Sequence, residues 1–237
     1  MHWKHSVIPR VTLIACLVLL PCAASAAGPQ QHDFRWVSST PLADLPSAYL
    51  AESPEHGFDA WIAPDGVRAR AIDGAWQVGL ALVAVGRDGA IEEAAPAGVE
   101  ARGNRAELHR GSLTEWYVND ERGLEQGFTL EKRPPGGGEL VLELELTGDL
   151  MALVAGNGRR LDLLRPGNPL PILHYTGLMV VDAEGSGIPA RLELGSVSEG
   201  GSRALRIVVA DADAVYPILV DPLVSSAIWN SGDSDDS

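Results

Sequence analysis

The densest group of chemically capable side chains lies in LTEWYVNDERGLEQGFTL, residues 113–130. Glu121 and Glu125 stand four apart, and two carboxylates at a fixed separation are what glycoside hydrolysis needs. Trp116 and Tyr117 offer flat faces on which a sugar ring can stack, and Trp61 and Trp76 are further aromatics of that kind. The same stretch also reads as two strands joined by a polar turn. Alternate aromatics would then pack inward, and Arg122 would pair with a nearby carboxylate. Acidic pairs are frequent in a chain with 32 Asp and Glu against 18 Lys and Arg, so the structural reading carries more weight.

Other groupings are weaker. Glu143 and Glu145 share one strand face, where an amphipathic strand puts charge to meet water. Asp211-Ala212-Asp213 has oxygens for a cation but also the composition of a tight turn, which is the expected role. Gly195-Ser196-Val197-Ser198 lacks the spacing of a nucleophile elbow. His32, His56, His109 and His174 are too scattered for a two-ligand helical motif, and Gly136–Gly138 lacks the lysine of a phosphate loop.

The elements that would position these residues are strands. Leu140, Leu142, Leu144 and Leu146 alternate with carboxylates at Glu143 and Glu145, a period of two that a helix would scatter. Similar runs cover Val67–Ala71, Trp76–Val85, Arg105–His109, Leu178–Val181, Ala190–Leu194, Leu205–Val209 and Tyr216–Val220. Asp65-Gly66, Asp73-Gly74, Asp88-Gly89 and Gly156-Asn157-Gly158 punctuate them as turns. The expected fold is all-β, an antiparallel β-sandwich over residues 55–222. Pro134-Pro135-Gly136-Gly137-Gly138 reads as a hairpin loop or as a hinge between subdomains 55–133 and 139–222. Residues 27–54 read as a loosely ordered lead-in, with a helical turn or two in Leu42–Glu52 limited by Pro46.

The front of the chain fits a secretory signal over residues 1–26. Lys4 and Arg10 precede an apolar run, Val11 to Leu20, and Ala24-Ser25-Ala26 sets cleavage before Ala27. The run is too short for the roughly 20 residues of a membrane-spanning helix, and a lipoprotein signal at Cys16 would leave Leu17–Leu20 on the mature side. A secreted location follows, whether periplasmic, extracellular or at the cell surface. Both cysteines, Cys16 and Cys22, fall in this leader, so the mature chain has no thiol or disulfide. Removing the leader takes away Lys4 and Arg10 and no acid, moving the formal charge from −14 to −16. Such a surface repels nucleic acid and anionic lipid.

LTEWYVNDERGLEQGFTL (113–130), LVLELELTGDL (140–150) and YPILVDPLV (216–224) together resemble the β-rich region that leads large exported bacterial proteins bearing FG-GAP, integrin-α-like repeats. The resemblance covers roughly His56 to Val224. It implies a non-catalytic module with a structural, adhesive or ligand-display role, whose partners are downstream β-propeller repeats or an extracellular ligand or glycan. It carries no catalytic residues and no cofactor. Residues 223–237 are expected as an acidic linker at the start of a repeat. Asp233, Asp235 and Asp236 are its weak metal candidates, for Ca²⁺ only with the repeats that would follow. Trp116, Tyr117, Glu121 and Glu125 remain the ligand-binding candidates. Rival readings are a carbohydrate-binding module using exposed aromatics and an exported hydrolase using Glu121 and Glu125.

Overall fold

The computed structural model describes residues 31–87 and 89–226. Residues 1–26, expected as a leader, and Asp233, Asp235 and Asp236 lie outside the described residues. Among the described residues seventeen antiparallel strands form two sheets, with one 3-10 turn at Pro54–His56. Among the described residues no helix is long and apolar enough to cross a membrane.

The first sheet has nine strands. Its early strands are β1 (Arg35–Val37), β2 (Ala48–Ser53), β3 (Phe58–Ala63), β4 (Gly66–Ala71) and β5 (Gln77–Arg87), each paired to the next. The short β6 (Ala90–Glu93) folds back on β5, whose other side meets β11 (Leu140–Gly148). The path then continues through β16 (Arg203–Val209) to β15 (Ala190–Val197).

The second sheet runs from β12 (Met151–Ala155) through β13 (Arg160–Leu164) and β14 (Pro171–Val181) to β17 (Ile218–Ser226). From there it passes to β10 (Gly123–Leu130), β9 (Leu113–Asp120), β8 (Arg105–Arg110) and β7 (Val99–Arg102).

Alternation decides the packing. Leu140, Leu142, Leu144 and Leu146 are all buried and meet Phe58, Phe128, Tyr175, Ile207 and Val220 in one core shared by both sheets. Burying such side chains contributes about 1.5–3 kcal/mol each, which makes the shared core the main stabilising feature. That core contains residues from both 55–133 and 139–222, so the two spans do not close separate cores. They lie side by side, joined by β5 against β11 in one sheet and β10 against β17 in the other.

Three expectations need correction. Leu42–Glu52 is not helical: Ala48–Ser53 is strand, because Tyr49–Ser53 finds partners across β3, and tertiary pairing overrides local preference. The lead-in is therefore ordered from β1 onward as one edge of the sheet. The supposed linker from Leu223 is still β17, held in mid-sheet between β14 and β10 as far as Ser226. Pro222 has no N–H for a central ladder; β14 bulges opposite it, with Gly177 at φ +69°.

Candidate functional site

The hairpin β9–β10 carries the residues singled out in 113–130. Period two turns Leu113, Glu115, Tyr117 and Asn119 inward, with Leu124, Gln126, Phe128 and Leu130 beside them, and all are buried. Glu115, at 0 % exposure, accepts from Arg110 Nε at 3.0 Å, from Gln126 Nε2 at 3.0 Å and from the Tyr117 hydroxyl. The Tyr175 hydroxyl donates to Gln126 Oε1 at 3.0 Å, which brings β14 into the network. Arg110 spends its other donors on the carbonyls of Ala95 and Pro64, at 2.8 and 2.9 Å. Burial first, and then the charge of Glu115, push both phenols well above the ordinary tyrosine range, so both stay neutral. Every member is satisfied by another, which is the condition for a polar layer inside a core.

The aromatic candidates are therefore closed to ligand. Tyr117 points into the core. Trp116, on the opposite face, is covered: its ring lies over Gly127, where an added Cβ would stand 2.0 Å from a ring carbon, and the Arg105 guanidinium sits 4.6 Å above it. Trp61 and Trp76 are also buried. The sugar-stacking expectation for Trp61, Trp76, Trp116 and Tyr117 is corrected on that ground.

The carboxylates separate differently from the sequence pairing. Glu121 is exposed in the β9–β10 turn, where its backbone carbonyl receives His56 Nε2 at 3.0 Å. Glu125 accepts from Arg122 Nη2 at 2.8 Å, and the same guanidinium binds Asp120 at 2.7 Å. Its carboxyl neighbour is Asp221 on β17. Burial, then a hydrogen bond to Glu125, then the charge of Glu125 raise Asp221 to about 7, with Arg122 opposing. A carboxyl that holds its proton to near neutrality beside another acid is an arrangement that general acid–base chemistry uses.

The remaining candidates are tied into structure. Asp211 is buried and forms a bidentate pair with Arg87, with Nη2 at 2.9 Å; Arg133 adds a contact at 3.2 Å and the Tyr216 hydroxyl another. Arg87 also donates to the carbonyls of Pro134 and Gly138, at 3.3 and 3.2 Å, and so holds both ends of the Pro/Gly stretch. Asp211 also closes the expected turn, its carbonyl taking Ala214 N at 3.1 Å, whereas Asp213 is exposed. His174 binds Asp162 at 2.7 Å, and His56 receives Ser226 N at 3.1 Å. Among the described residues no three acidic, histidine or cysteine side chains gather to hold a metal ion.

Open concave surface lies elsewhere, on the outer face of the nine-stranded sheet. A cavity of about 440 Å³ is bordered by Asp65, Arg68, Ala81, Val83, Glu93 and Glu145. Val83 and Glu145 also border a second, of about 380 Å³, closed by Ser196, Ser198 and Ser202. Of the strand-face pair, Glu143 is taken by Arg206 at 2.7 Å, while Glu145 makes no ion pair among the described residues. No protein-family model, no curated protein and no solved structure matches this chain.

Proposed function

We propose that the chain is an exported, non-catalytic β-sandwich module that leads an FG-GAP-type repeat array and serves a structural, adhesive or ligand-display role. The observation that carries this reading is the way the chain approaches Ser226. β17 is a central strand, flanked by β14 and β10, and its last residue is pinned by His56. β17 is held on both sides as far as Ser226, which suits a module that gives its neighbour a fixed point of attachment. The satisfied networks around Glu115 and Asp211 support the non-catalytic part, because these charges already have partners inside the fold.

The test is the coding sequence beyond Ser237. In-frame FG-GAP repeats are the expected result; a stop codon there in the intact gene, with no repeats following, contradicts the reading.

A further inference from the structure

The two cavities on the outer face of the nine-stranded sheet are parts of one trench, and the strand registers show how it is made. On this face Ala81 of β5 stands beside Glu145 of β11, which stands beside Ala204 of β16. The row extends at both ends through glycine. A Cβ added at Gly66 would lie 2.9 Å from Ala81 Cα, and one added at Gly195 would lie 3.0 Å from Ala204 Cβ. Four of the five positions thus have a methyl group or less, and the row crosses five neighbouring strands, about 19 Å at ~4.8 Å per spacing.

The flanking rows are taller and make the walls. Arg68 and Thr147 flank Gly79 on one side; Glu143, Arg206 and Glu193 lie in register on the other. One end is bounded by Ser196, Ser198 and Ser202. The other lies where β5 exchanges β4 for β6 as its partner. There the buried Arg110 holds both margins through the carbonyls of Pro64 and Ala95.

Charge within the trench is uneven. Arg206 neutralises Glu143, and Arg68 is shared between Asp65 at 2.6 Å and Asp44 at 3.6 Å. Among the described residues Glu93 on the border and Glu145 on the floor make no ion pair, and Glu145 stands in the middle, between two alanines.

We propose that this trench binds an extended, basic segment of a partner polypeptide, with Glu145 taking a lysine or arginine side chain. The small floor lets a peptide backbone approach closely, the serine hydroxyls can meet its amides, and about six extended residues fit the length. Charge complementarity with an acidic chain favours a cationic partner and disfavours an anionic one. The site lies apart from Ser226, so this proposal and the repeat-array reading fail separately.

The experiment is fluorescence anisotropy with a labelled peptide of alternating lysine and alanine, about six residues long, titrated with the mature chain. Glu145→Gln should weaken binding about tenfold. Glu184→Gln, an equal charge loss on an exposed turn, should change it less than about twofold. Ala204→Leu, which fills the floor, should abolish binding; its melting temperature checks that the fold survives, and Glu145→Gln tests the proposal even if it does not. Equal weakening by Glu145→Gln and Glu184→Gln overturns the proposal, because it shows attraction to net charge alone. So does a glutamate–alanine peptide binding as well as the lysine one, or no binding of the basic peptide.

Discussion

Two aspartates ten residues apart, Asp211 and Asp221, show what decides the fate of a carboxylate in this sandwich. Burial pushes both upward. Around Asp211 the hydrogen bonds of Arg87 and Tyr216 outweigh it and hold the carboxyl below its ordinary value. Around Asp221 the nearest group is another acid, Glu125, and the partly exposed Arg122 does not offset it, so the carboxyl rises to about 7. One aspartate is a fastener at the Pro/Gly stretch; the other faces a second acid across the junction of β10 and β17. Full pairing makes a charge structural, and incomplete pairing makes it sensitive to pH.

The comparison breaks most sharply at Arg87. Arg87→Ala leaves Asp211 buried with much of its compensation gone and releases the carbonyls of Pro134 and Gly138. The expected loss is about 3–5 kcal/mol, read from the midpoint of urea unfolding.

A smaller effect follows from Asp221. Its folded value lies above its unfolded one, so its stabilisation is full below about pH 4 and is lost as pH rises toward 7. Asp211 has the opposite sign, its contribution holding above about pH 4 and fading as pH falls further. Together they predict maximal stability in mildly acidic solution. The alkaline slope should stay well under the ~1.4 kcal/mol per pH unit that one proton allows, since Asp221 is partly open to water. Asp221→Asn should flatten that slope and leave the acid limb in place, as measured by thermal melts from about pH 2 to 8; an unchanged slope removes the assignment.

The smallest effect is at Arg122. Arg122→Ala should cost under about 1 kcal/mol, because the guanidinium is half exposed, yet shift the alkaline limb to higher pH by removing the opposing charge.

How much was legible in the sequence follows from the range of the forces. The leucine ladder at 140–146 declares its strand because period two is a local property, and the Asp-Gly turns do the same. The β2 strand was hidden because Pro46 and the alanines and leucines around it suggest a helical turn, while β3, which makes it a strand, lies outside that window. In the 113–130 block, alternation separates Trp116 from Tyr117, but it does not say that Gly127 and Arg105 close over the tryptophan. Glu125 was marked as half of a pair with the wrong partner, since Asp221 is 96 positions away and is brought near by the pairing of β10 with β17. Arg87 gave a faint signal, a lone arginine ending an otherwise apolar strand, with nothing nearby to name Asp211. The trench was invisible because its floor aligns alanines and glycines from four strands with Glu145 from a fifth.

The central claim is that 55–133 and 139–222 form one sandwich, with continuous sheets, a shared core and a clamped Pro/Gly stretch. Scanning calorimetry of the protein tests it most directly. One transition is expected, with calorimetric and van't Hoff enthalpies equal. Two resolved transitions, or a calorimetric enthalpy well above the van't Hoff value, would contradict it.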